Sequence, residues 1–444
     1  MRHWIAIFAL LLAFPALAGA QQDNKKDNAM QGMPGMQMPG INMDGTDSAA
    51  MRPETFLQEI LRHAGSGTSA EPDSTPVPML MAKKGKWTLM FHANVFVLDE
   101  QQFSPRGGDK FFSTNWFMGM AQRSLGPGVF TVRAMLSLEP ATITGRQYPL
   151  LFQQGETAFG KPIVDGQHPH NFFMEIAALY DLKLGSNALL SFYAAPIGDP
   201  AIGPIAYPHR TSASEDPVAA LAHHQEDSTH IAEDVVTMGL AYRIARIEAS
   251  GFHGREPGEN RWNISQGKID SWSTRLTLQP GKNWSGQYSY ARIASPEALF
   301  PSENQERMTA SAMYNRRLHN GNWASSLIWG RTKSLEDNAI FDSYTLESTL
   351  RFLTRNHAWT RIENVDRSNE LLLGENPLPP NFVEQPIGRV QAYTLGYDRD
   401  FDIVPRLASA IGAQTTLYGV GENLKAVYGS LPAGVAIFIR LRPQ

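Results

Sequence analysis

The amino-acid sequence predicts an all-β fold: a transmembrane antiparallel up-and-down β-barrel of about 16 strands, with a disordered N-terminal tail and one short helix before it. Three observations predict it. Side-chain polarity alternates with period two along most of the chain beyond residue 85, short and long connections alternate strictly, and tryptophans gather at both ends of the strands.

The alternation is plain in WSTRLTL, where Trp272, Thr274, Leu276 and Leu278 share one face and Ser273, Arg275 and Thr277 the other. YTLESTLRF repeats it, with Tyr344, Leu346, Leu350 and Phe352 opposed to Thr345, Glu347, Thr349 and Arg351. Such a strand suits a soluble sandwich or propeller equally well, so the connections decide. Strands are expected at about 86–98, 112–122, 128–138, 172–184, 188–196, 233–243, 246–254, 270–279, 283–293, 307–317, 322–332, 343–353, 357–366, 389–401, 405–416 and 433–441. The turns SLGPG, GSN, IA, PGK, LHNG, TRN and DIV alternate with longer segments such as 99–111, 139–171, 197–232 and 367–388. Short turns at one end and long loops at the other describe an outer-membrane barrel. Closure follows because lipid offers the backbone no hydrogen-bond partner, so only a sheet without edges can span it. Trp87, Trp284, Trp323 and Trp359 lie near the linker or a short turn, and Trp116, Trp272 and Trp329 near long loops, as two interfacial girdles would. One feature speaks for the sandwich: the chain ends FIRLRPQ, with Phe438 the nearest aromatic residue.

Four regions follow. Residues 1–20 (MRHWIAIFALLLAFPALAGA) read as a signal peptide cleaved near Ala20, with an apolar run too short to span a bilayer. Residues 21–51 read as a disordered Met-rich tail, and 52–85 as a short helix and linker. In that helix Phe56, Leu57, Ile60 and Leu61 share a face and Gly65 ends it, with order beginning again near Trp87. Residues 86–444 form the barrel. The net charge of −4 argues against nucleic acid, and the absence of cysteine excludes disulfides and thiolate chemistry. The expected location is the outer membrane of a Gram-negative bacterium.

With a periplasmic N-terminus, every long connection faces the exterior. Six of the 12 histidines then fall on two consecutive outer loops: His168 and His170 in VDGQHPHNFF, His209 in YPHR, and His223, His224 and His230 in AHHQEDSTH. Imidazole is a versatile metal ligand near neutral pH. If 223–230 were helical, His223, Asp227 and His230 would line one face, and with the HPH pair could close around Cu(II), Zn or Ni. The alternative is structural: the rings bond carboxylates and backbone and lock both loops into a constriction. In the tail Met30, Met33, Met36, Met38 and Met43 have almost no aliphatic company, so core packing does not explain them, whereas soft Cu(I) or Ag(I) ligation would. A rim hydrolase would need Ser228, His230 and Asp227 to act from one loop, and no G-x-S-x-G elbow is present; no catalytic residue is assigned, and the chain does not read as an enzyme. Arg275, Glu347, Arg351, Arg361 and Glu363 face inward as lumen lining. The functional expectation is a porin-like channel for small solutes, with copper or other metal-ion handling open to it and no further cofactor; the alternative is a non-transporting surface-binding or metal-sequestering barrel, with the rim hydrolase a lesser one. Lipid, small solutes or metal ions are the expected partners, and a homotrimer the assembly open to such a barrel.

The stretches RGGDKFFSTNWFMGMAQR, GETAFGKPIVDGQHPH, SFYAAPIGDPAIGP and HHQEDSTH resemble those of a family of uncharacterised exported bacterial barrel proteins, over about residue 52 to the end. That family's QHPH is followed by Asp, where this chain has Asn171, which puts position 171 in doubt as a ligand. The resemblance implies an exported barrel and no particular activity. A Met-rich lead-in before a barrel is also similar in layout to outer-membrane copper resistance protein B, which raises copper above other metals.

Overall fold

A computed structural model describes residues 53–227 and 232–443. The expected signal peptide and Met-rich tail lie outside these residues, as does His230. In chain order the elements that build the molecule are helix α1 (Phe56–Arg62) and strands β1 (Leu80–Lys84), β2 (Trp87–Phe103), β3 (Asp109–Leu125), β4 (Gly128–Leu136), β5 (Tyr148–Ala158), β6 (Lys161–Gln167), β7 (Phe173–Lys183), β8 (Ala188–Gly198) and β9 (Ala232–Tyr242). The chain continues through β10 (Ala245–His253), β11 (Ser271–Gly281), β12 (Trp284–Ala294), β13 (Asn304–Leu318), β14 (Gly321–Ser334), β15 (Ile340–Phe352), β16 (Asn356–Ser368), β17 (Pro386–Val404), β18 (Leu407–Gly419) and β19 (Ala433–Pro443).

Sixteen of these strands, β2–β4 and β7–β19, pair antiparallel with their neighbours in chain order, and β19 returns to β2 with Phe438 opposite Leu98. The sheet is therefore a closed barrel, and all sixteen predicted strands are present. β1 pairs with the first residues of β2, Leu80 opposite Phe91, on the edge that β19 occupies higher up. It fills the seam where the last strand ends. β5 and β6 form a separate hairpin within the second long loop.

The period-two pattern sorts the two faces. Leu276, Leu327, Leu395, Ile411 and Ile437 are exposed on the outside, while their chain neighbours Arg275, Ser326, Thr394 and Ala436 are buried inside. Trp272, Trp284 and Trp323 are exposed at the strand ends, as girdle residues should be. Trp359 and Trp116 are not. Their registers turn them inward: the Trp359 ring lies over Gly396 on β17, where a Cβ would stand 2.1 Å from it, and packs on Phe438. A large ring covering a cross-strand glycine removes the void that residue leaves.

Besides its strands the barrel interior holds residues 53–79, the third long loop, and part of the β5–β6 hairpin, whose Phe152 packs with Leu98 and Phe438. The first is residues 53–79, expected to be a helix and a loose linker. Thr55 caps α1, but the helix stops at His63, in the left-handed region at φ 49°, and not at Gly65. Phe56, Leu57 and Ile60 pack against Leu189 and Ala241 near the short turns. Beyond it the chain runs along the inner wall: Arg133 donates to the carbonyls of His63, Gly65 and Gly67, Arg246 to that of Thr68, and Arg317 to that of Ser74. Composition alone marked this stretch as a linker because its own side chains are small and polar; its order comes from arginines more than fifty residues away. The second segment is the third long loop, residues 199–227, which folds into the barrel and does not project from it.

Candidate functional site: the inward loop and its histidines

Buried arginines fix the third loop to the wall. Arg210, on the loop, forms a two-pronged pair with Glu347 of β15 at 2.7 and 3.2 Å and also bonds Asp227 at 3.3 Å. Arg361 of β16 reaches the same Glu347 at 3.1 Å and the loop's Asp216 at 2.9 Å. Arg442 and Arg440 of β19 both hold Glu215. Backbone carbonyls of the loop accept from Asn94, Thr114, Thr349 and Arg367. Attachments to strands on several sides stretch the loop across the bore. The loop also meets the N-terminal segment, where Thr211 donates its backbone N–H and its hydroxyl to Glu71, each at 2.8 Å.

Of the five residues proposed as lumen lining, Arg275, Glu347, Arg361 and Glu363 are buried and hold chain. Arg275 bonds Thr68, Ser69 and the carbonyl of Gly203; Glu347 and Arg361 hold the third loop; Glu363 accepts from the backbone N–H of Ala222. Arg351 lines a cavity of about 320 Å³ in the half of the barrel nearer the short turns, together with Arg62, Met79, His92, Trp116 and His209. The outer half is filled by an apolar cluster that includes Leu98, Phe152, Leu221, Tyr418 and Phe438. The period of a strand tells which residues point in; it does not tell what they meet there.

The histidines divide into three groups. His168, at the end of β6, meets His223 and His224 of the short helix α2 (His223–Glu226), and the candidate ligand atoms of all three lie within 4.8 Å of one another. His168 Nε2 is 3.3 Å from His224 Nε2. Two nitrogens bound at about 2.0 Å to one tetrahedral ion stand about 3.3 Å apart, so this pair already has the spacing of one edge of a zinc site. Glu156 Oε1 reaches the same His168 nitrogen at 2.8 Å, and Gln167 Oε1 lies 3.1 Å from His223 Nε2. Burial pushes the Glu156 carboxyl up, but Arg261 and then His168 pull harder and hold it below the usual carboxylate range. The donor set is three imidazoles and one carboxylate, suited to a borderline divalent ion. Glu156 carries no signal in the sequence; the hairpin of β5 and β6 brings it round.

His170 stands apart from this group, with Nδ1 2.9 Å from Glu139 and Nε2 3.4 Å from the Tyr207 hydroxyl. Asp227 is bonded to Arg210 and to the backbone N–H of Tyr207, and its oxygen is 3.9 Å from His223. The face of His223, Asp227 and His230 imagined on one helix does not form within the described residues, since α2 ends at Glu226. Asp227 is also the only described member of the hydrolase trio, because Ser228 and His230 lie outside. Asn171 bonds Arg261 at 3.3 Å and takes no part in the cluster. His209 lies deeper, against Trp116 and Met135.

Among the interior acids, Glu59 of α1 carries a testable signature. Burial raises its pKa to about 8, with Arg62 at 2.7 Å opposing the shift. The folded state therefore holds a proton that the unfolded chain releases near 4.5. The stability this contributes is full below about pH 4.5 and is lost as pH rises towards 8. Glu59→Gln should flatten the fall in unfolding temperature between pH 5 and pH 8.5; a fall as steep as in the wild type would refute the assignment.

No protein-family model matches the chain, and no curated protein matches it. Among solved structures it is similar to an anion-selective porin from Comamonas acidovorans, at 11% identity and a TM-score of 0.49, covering 80% of this chain and 99% of that one. It is also similar to OmpF of Salmonella typhi, at 9% identity, a TM-score of 0.48 and coverages of 82% and 100%. A third is the outer-membrane channel DcaP of Acinetobacter baumannii, at 8%, 0.45, 81% and 98%.

Proposed function

We propose that the protein is an outer-membrane barrel that binds a divalent transition-metal ion, Cu(II) or Zn(II), at its extracellular mouth, and whose lumen is closed to bulk diffusion in its resting state. The convergence of His168, His223 and His224 from two loops carries the metal reading. The exposed apolar outer face supports a lipid environment, and the histidine loops then lie on the side of the long connections, facing outward from the cell. The inward loop and the N-terminal segment support the closed state. Equilibrium dialysis of the full chain with Zn(II) tests the site: His168→Ala combined with His223→Ala should remove one equivalent of bound zinc while leaving heat-modifiable gel mobility intact. Undiminished binding would return both rings to a purely structural role.

A porin-like conduit for small solutes is the second reading. It is favoured by the ionic inner wall formed by Arg275, Glu347, Arg361 and Glu363, unusual for a sealed core, and by the cavity of about 320 Å³. Passage would require part of the third loop to leave the wall. A homotrimer is the assembly proposed for either reading.

A further inference from the structure

The inner wall of β2, β3 and β4 departs from the rule that a barrel interior is polar. Met90 and His92 of β2, Met118 and Met120 of β3 and Met135 of β4 all face inward and are buried. Register sets three of them in one row across the sheet, with His92 opposite Met118 and Met118 opposite Met135. His92 Nε2 lies 3.0 Å from the Met118 sulfur. From above, the third loop lowers His209 so that its Nε2 is 2.8 Å from the Met135 sulfur. Trp116 closes the group, its ring centroid 4.2 Å from that of His209 and 5.0 Å from that of His92.

We infer that His92, Met118, Met135 and His209 form a binding site for a soft monovalent cation of the Cu(I) and Ag(I) class. Two thioethers and two neutral imidazoles are the donors such an ion prefers, and divalent ions favour harder or charged ligands. The set carries no formal charge, so a single positive charge is the most it can hold away from water at moderate cost. The neighbouring charge is already spent: Arg133, in the next inward row, is bound through two nitrogens to Glu175 at 2.5 and 2.7 Å. An ion bound at about 2.0 Å to nitrogen and about 2.3 Å to sulfur holds the two about 3.5 Å apart. Each imidazole–thioether pair must therefore open by roughly half an ångström, which the unbranched methionine side chain allows. The indole of Trp116 offers its face to a cation beside the ring. His92, His209 and Trp116 also line the cavity of about 320 Å³, so an ion has a way in from the side of the short turns. This site is separate from the His168 cluster in residues, in donor type and in the half of the barrel it occupies.

The test is Ag(I) titration of the full chain in detergent against a competing chelator, with Trp emission recorded in parallel. Met118→Leu combined with Met135→Leu keeps volume and removes both sulfurs. It is expected to bind one equivalent less of tight Ag(I) than the wild type and to lose the quenching that Trp116→Phe also abolishes. His209→Gln, on the loop, leaves the strand row intact and should weaken the same equivalent, so a folding failure of the double variant does not leave the matter open. Zinc binding at the outer histidines should be unchanged in all of these, which separates the two sites. Equal Ag(I) stoichiometry and affinity in the wild type, the double Leu variant and His209→Gln would overturn the inference.

Discussion

Arg210→Ala is expected to release the third loop from the barrel wall and to lower stability by about 3–5 kcal/mol, the usual consequence of removing one partner from a buried ion pair. The magnitude follows from what remains. Glu347 keeps Arg361, but it loses two bonds at 2.7 and 3.2 Å, and Asp227 loses its guanidinium partner in the interior. The carbonyl of Ile205, which accepts from Arg210 at 2.8 Å, is stranded as well. Because these bonds join the loop to β15, their loss should also loosen the loop. Two readouts follow: a lower midpoint for the heat-induced shift in gel mobility, and conductance steps in planar bilayers that the wild type lacks. Arg210→Lys should restore little, since one ammonium cannot reproduce the planar fork. A variant as stable and as silent as the parent would show that the loop is held by its apolar contacts alone.

Arg133→Met is expected to be at least as damaging. This side chain is fully buried, grips Glu175 through two nitrogens, and gathers three carbonyls of residues 63–67. Methionine fills much of the volume but leaves the Glu175 carboxylate without its counter-charge, and buried carbonyls each cost about 1–3 kcal/mol when left unmade. Partial compensation exists, because Glu175 also accepts from Gly67 N–H and the Tyr193 hydroxyl. The segment 53–79 should then detach, exposing Arg62 to trypsin in the folded barrel, where the wild type resists. Resistance equal to the wild type would mean that Arg246, Arg275 and Arg317 suffice to hold the segment.

The barrel was legible from the sequence because period two and turn length are local properties, and every predicted strand is found. What the barrel contains was not, since inward polar residues look alike whether they meet water or chain. Arg275, Glu347 and Arg361 read as a wet lining, yet each is bonded to a segment that its own strand does not touch in sequence. The same limit divided the histidines. The sequence pairs His168 with His170 and sets His223 with Asp227 and His230, whereas the fold brings His168 from one loop to His223 and His224 of the next; His170 lies against Glu139, Asp227 against Arg210, and His209 against a methionine, partners 31, 17 and 74 residues away. Position along the strand places Trp116 and Trp359 in the girdles, whereas the parity of their register turns them inward. Met118 and Met135 carry no signal in the sequence because each is one methionine in one strand; only the pairing of β2, β3 and β4 lines them up beside His92.

The proposed closed state requires the third loop and the N-terminal segment to occlude a barrel that would otherwise be wide enough to conduct. Single-channel recording of the purified full chain in a planar lipid bilayer, in symmetric salt without added metal, tests it most directly. No steady current above that of the bare membrane is expected. A persistent ohmic conductance of general-porin size from the wild-type protein would contradict it.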